Sequence, residues 1–228
     1  MALAPGEPGA AAFQQFIWRN HVKRMLCLAA MILLPMLGAA PAQDRMPPIP
    51  SEKMTELQKK AAQEVISGPR GRLAGPYPAL LRSPELMSRL QKAGEYLRFN
   101  SPLPADVREM TILVVAREWT QQTEWDSHYE LALKAGVKPE TVASISQGRR
   151  PVGMSGDEEL AYDFLDELQR SRSVSDETYA RALQKFGEQG VIDLTVLHGY
   201  YTSIAMVMNM ARTALLPEHK PLLMKLPN

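Results

Sequence analysis

Apolar residues recur at helical spacing through most of this 228-residue chain, and alternating β-branched runs are missing. The pattern predicts a helix over 51–67, opened by Ser51 and stopped by Gly68-Pro69. Residues 68–82 read as a glycine- and proline-rich loop. Ser83-Pro84-Glu85 opens a helix to about Phe99, with serine as cap and proline in the first turn. The next helix, 104–119, carries Val107, Met110, Ile112, Leu113, Val115 and Ala116 on a wide apolar face. A helix over 121–135 follows after a short connection and stops at Gly136, so these two pack as an antiparallel hairpin. Shorter helices are predicted over 139–147 and, behind the capping box Ser155-Gly156-Asp157-Glu158, over 155–170. A further helix starts at Ser175 and ends at Gly187 or Gly190. The last, about 190–213, is the most apolar and reads as a core or subunit-interface helix. The fold class is all-α.

Residues 1–42 follow a different pattern. A basic run ending at Lys23-Arg24 precedes the apolar stretch Met25–Leu37, and Gly38-Ala39-Ala40-Pro41-Ala42 follows. This is the layout of an export signal, with cleavage expected after Ala42 and a periplasmic or secreted product. Pro35 interrupts the stretch, and it is short for a bilayer span, so no stable membrane anchor is expected after processing. Residues 43–51 form an extended leader, and 52–228 suit one domain. The only cysteine, Cys27, lies in the signal, so the remaining chain has no disulfide and no thiolate nucleophile. Residues 1–42 hold three basic side chains (Arg19, Lys23, Arg24) and one acidic (Glu7), so the rest carries −1 against +1 for the whole. That balance gives no reason to expect nucleic acid as a partner.

The chemistry concentrates in the hairpin. Glu124 and His128 are one helical turn apart on one face. Glu109 precedes the turn at a distance in sequence that lets it face His128 across the pair. Two carboxyl groups and an imidazole are the material of acid–base chemistry without a cofactor. The same three also offer a set of metal ligands, although Glu-x-x-x-His spacing is common by chance and no metal is expected.

The stretch Arg108-Glu109-Met110-Thr111-Ile112-Leu113, then Glu124-Trp125-Asp126-Ser127-His128, then Ala132-x-x-Ala135-Gly136-Val137 resembles the carboxymuconolactone decarboxylase family, which shares its fold with alkyl hydroperoxidase D. Asp157-Glu158-Glu159, Val174-Ser175-Asp176-Glu177-Thr178 and Leu197-x-Gly199-Tyr200-Tyr201 continue the likeness, over about 70–215. The peroxidase branch of the family carries Glu, then Cys-x-x-Cys-x-x-x-His. Glu109 and His128 match, whereas Gln121 and Glu124 stand at the two cysteine positions. The resemblance is therefore to a thiol-free branch. It implies a lyase that removes a carboxylate from an unsaturated lactone, or an isomerase, acting on a small carboxylic acid or lactone with no cofactor.

On that reading His128 donates or shuttles the proton, Glu124 orients it and raises its pKa, and Glu109 is a second acid or base. Arg72 is a candidate clamp for a substrate carboxylate, with Arg149 and Arg150 as further candidates. Trp125 and Tyr201 are candidate substrate-lining residues, Trp125 also reading as a packing residue. The resemblance further implies a homotrimer or homohexamer. Two other readings stand beside it: a non-catalytic binding or scaffold protein that kept the fold, and a metal-dependent enzyme using the Glu and His side chains.

Overall fold

The computed structural model describes residues 44–215 and 223–224. The signal read at residues 1–42 lies outside them. All regular structure among the described residues is helical: α1 Glu56–Ser67, α2 Tyr77–Leu80, α3 Pro84–Glu95, α4 Ala105–Glu118, α5 Gln122–Ala135, α6 Pro139–Ser146, α7 Gly156–Ser171 and α8 Asp176–Ala211.

The sequence placed the first helix too early. Ser51–Lys53 is a separate 3₁₀ turn, and α1 starts behind Thr55. The reason is a reciprocal cap: the Thr55 hydroxyl accepts from the Gln58 backbone N–H, and the Gln58 side chain accepts from the Thr55 N–H. The predicted loop 68–82 contains the short helix α2, whose Tyr77, Ala79 and Leu80 are buried. Helix α3 gives way after Glu95 to a π-helical turn, Tyr96–Asn100. Such turns widen the helix and redirect its side chains, often beside functional sites.

Helix α4 occupies the centre. Val107, Met110, Ile112, Leu113, Val115 and Ala116 are all buried, and the helix packs against α5, α6, α7 and α8. A helix that is apolar around most of its circumference belongs in a core. At its end the chain turns within three residues. Thr120 takes a left-handed conformation (φ 46°), and the Gln121 N–H donates to the Ala116 carbonyl at 2.8 Å. That tight reversal makes α4 and α5 antiparallel neighbours.

Helix α8 is two helical pieces joined at Gly187 (φ 69°, ψ 173°), a conformation that a side chain resists. Its second piece packs Leu194, Leu197, Tyr200, Tyr201, Ile204 and Met208 into the core. It is long and apolar enough to cross a membrane, but half of its apolar stretch is buried within the fold.

Candidate active site

The α4–α5 hairpin brings Glu109 and His128 together, with Glu124 one turn nearer the reversal. The His128 Nδ1 lies 2.6 Å from Glu109 Oε2, and its Nε2 lies 3.5 Å from Glu124 Oε2. The imidazole is held between two carboxyl groups, one on each ring nitrogen. All three are secluded, with side-chain exposures of 3% for His128, 12% for Glu109 and 9% for Glu124.

The shorter contact belongs to Glu109, which changes the division of labour expected from the sequence. Glu109 fixes the tautomer at Nδ1 and so directs Nε2 towards Glu124. Glu124 is the group whose ionisation the site perturbs. Burial pushes its pKa up, the neighbouring His128, Arg98 and Arg70 pull it back, and Glu109 adds to the rise. A carboxyl raised in this way is suited to holding a proton that it can give up.

Tyr201 belongs to the site. Its ring meets His128 edge-on, with centroids 5.3 Å apart, and Tyr200 meets Tyr201 in the same manner at 5.3 Å. Burial holds the phenols of Tyr77, Tyr200 and Tyr201 above their ordinary pKa, so they stay neutral and can donate hydrogen bonds.

Two expected substrate contacts are not brought to the cluster. Arg72 is exposed. A turn closed by the Gly71 N–H on the Gly68 carbonyl, with Gly71 at φ 70°, separates it from Arg70, and Arg70 is the residue that faces the site. Trp125 is 2% exposed and packs in the core against Tyr129, not against open space. Arg149 is exposed, and Arg150 pairs with Glu159 and Asp163 at the surface. His198 lies against Gln169, with Glu118 Oε2 3.5 Å away, as a satisfied histidine would.

Arg70 was not singled out from the sequence. Its guanidinium carbon lies 5.4 Å from the Tyr77 ring centroid and 5.9 Å from that of Phe99. Its charge is felt by Glu124, Tyr200 and Tyr201. Yet its Nε and Nη2 are buried and have no hydrogen-bond partner among the described residues. Gly94 makes room for this arrangement: a Cβ there would lie 2.2 Å from the Tyr200 hydroxyl oxygen and 2.9 Å from Arg70 Nη2. Arg98 reaches the same region from the π-helical turn of α3. The available signal was the polar Gln91 and Arg98, with Gly94 between them, at helical spacing on a face that also carries the buried Met87.

Gln121, at the first of the two positions matched to cysteine in the peroxidase resemblance, has a structural role here. The Gln121 side chain caps α5 by accepting from the Thr123 N–H at 2.7 Å. Its amide also donates to Asn209 near the end of α8 at 2.9 Å, and Asn209 in turn donates to the Trp119 carbonyl. Glu124, at the second position, carries a carboxyl group where the peroxidases carry sulfur.

A metal finds little here. The two ring nitrogens of His128 point in opposite directions and each faces a carboxylate, so the three side chains do not converge on one point. No group of three His, Cys, Asp or Glu residues among the described residues forms such a centre.

No curated protein matches the chain. Residues 84–167 do match a family, over a shorter span than the resemblance read across 70–215, and that span contains Glu109, Glu124 and His128 but neither Arg70 nor Tyr201. With the all-helical architecture and the α4–α5 hairpin, this match places that segment of the chain in the carboxymuconolactone decarboxylase family, of the alkyl hydroperoxidase D-like fold.

Proposed function

We propose that this protein is a cofactor-free acid–base lyase or isomerase acting on a small carboxylic acid or lactone. The observation that carries the reading is the imidazole of His128 held between Glu109 and Glu124 in a secluded site. Family membership supports the decarboxylase-like chemistry at a coarser level.

The residues suggest roles. Glu109 holds Nδ1, which leaves Nε2 as the working nitrogen. At Nε2, His128 and Glu124 pass a proton between them, and the pair gives it to, or takes it from, a substrate carbon. In decarboxylation the carbon–carbon bond breaks and carbon dioxide leaves. The electron pair passes into the conjugated carbonyl as an enolate, and the proton relay then protonates carbon. Neutral tyrosine hydroxyls and the Arg70 guanidinium are the donors available to the developing oxyanion. A cation on the departing carboxylate would hold it back, so Arg70 fits the enolate oxygen or a second carboxylate instead. The signal read at residues 1–42 supports a periplasmic or secreted setting.

The near-complete burial of the cluster favours a second reading, a structural polar network in a non-catalytic binding protein. One experiment separates the two. Unsaturated lactones and small carboxylic acids are incubated with the protein in deuterium oxide, and carbon-bound deuterium and carbon dioxide are followed. The acid–base reading expects turnover of at least one compound, with a loss of about 10²–10⁴-fold in His128→Gln. Full turnover in both His128→Gln and Glu124→Gln would remove the proposed roles. A panel with no turnover, together with a large loss of thermal stability in His128→Gln, would favour the network.

A further inference from the structure

The second piece of α8 buries one face and leaves another open. The open face carries Ile192 (63% exposed), Val196 (48%), Met206 (50%) and Met210 (48%). Gly199 and Ser203, also exposed, lie between them. These six positions follow the alternating four- and three-residue spacing of a helix-pairing seam.

Their order is symmetric about position 201. Large apolar residues stand at both ends and small ones at the centre. Against a second copy of the same helix running antiparallel, Ile192 meets Met210, Val196 meets Met206, and Gly199 meets Ser203. Every contact then occurs twice, which is the requirement for a two-fold interface.

Gly199 gives an independent reason. Glycine weakens a helix interior and is normally kept for a positive φ or a crowded site. Gly199 has neither: a Cβ there would meet nothing within 4 Å. The protomer's own fold does not require a glycine at this position, whereas close approach by another helix does. Ser203 is prepared for burial, because its hydroxyl already donates to the Gly199 carbonyl at 3.0 Å.

Charge selects the direction. Glu188 is exposed before the seam and Arg212 is exposed after it. Antiparallel pairing brings Glu188 of one copy to the end of the helix that carries Arg212 in the other, whereas parallel pairing sets like charges together.

We propose that this face is a two-fold interface between two copies of the chain, with the α8 helices antiparallel and closest at Gly199 and Ser203. Combined with a three-fold contact elsewhere it yields a hexamer, and alone it yields a dimer.

The test is light scattering on the purified protein together with cysteine pairing in a Cys27→Ser background. The interface expects an even number of subunits, halved or reduced to one by Val196→Glu. Gly199→Cys co-expressed with Ser203→Cys should give a disulfide-linked dimer on mild oxidation, several-fold more than either variant alone. This second measurement holds even if Val196→Glu fails to fold. A monomer, a trimer, or cross-linking of Gly199→Cys with itself as efficient as the mixed pair would overturn the proposal. So would a monomer that co-sediments with phosphatidylglycerol vesicles, which would assign the face to lipid.

Discussion

Glu124 shows how far one buried side chain can set the behaviour of the site. Its pKa is raised chiefly by burial, so the native protein holds this proton more tightly than the unfolded chain. The stability it contributes is fully present below the ordinary carboxylate pKa and is lost as pH rises through the raised native value. Glu124→Gln keeps the shape and cannot ionise. Its melting temperature relative to the unsubstituted protein should therefore climb as pH rises above the ordinary carboxylate range, about pH 4. A difference that stays flat in thermal scans would show that the carboxyl is not held above its ordinary range. Arg70 carries the matching prediction for binding. Losing its charged donors should weaken a carboxylate or enolate-forming substrate by about 10–100-fold, read as a rise in KM for Arg70→Gln. Unchanged KM would remove Arg70 from the site. The cluster of Glu109, Glu124 and His128 was legible in the sequence because it rests on local rules: one helical turn joins Glu124 to His128, and a short reversal places Glu109 opposite. Arg70 and Arg72 could not be told apart, because a glycine-rich turn decides which residue faces inward and no periodicity governs it.

At the scale of elements, boundaries followed chemistry where a cap was written in the sequence. Ser155 with Glu158 opens α7 as expected, and Gly136 ends α5 in a left-handed conformation (φ 106°). Boundaries slipped where two serine or threonine residues competed, as at Ser51 and Thr55, since only Thr55 has a glutamine placed to return its hydrogen bond. The widening of α3 into a π-helical turn has no simple sequence mark. Gln121 ties two elements together, capping α5 and bonding Asn209 of α8. Gln121→Ala should cost about 1–2 kcal/mol in chemical denaturation, a lost cap plus a lost buried hydrogen bond. A cost near zero would mean that water replaces both bonds.

Across the whole molecule the site is assembled from distant parts. Arg70 comes from the loop before α2, Arg98 from the end of α3, Glu109, Glu124 and His128 from the hairpin, and Tyr200 and Tyr201 from α8. Convergence of this kind depends on packing around α4 and was not readable from any single segment. The same packing sets a dynamic order. Amides of α4, buried almost all round, should exchange with solvent only on global unfolding. Those of the first piece of α8, where Ala182 is the only buried residue before the break at Gly187, should exchange orders of magnitude faster. Equal protection by hydrogen exchange would contradict the central placing of α4.

The bonds of Gln121 also limit which residues this position can accept. Sulfur at positions 121 and 124 would remove the cap that starts α5 and one of the two bonds that tie Asn209 at the far end of α8, both of which a thiol replaces poorly. A pair of cysteines at these two positions would thus demand repair of the scaffold elsewhere before it could serve as a redox centre.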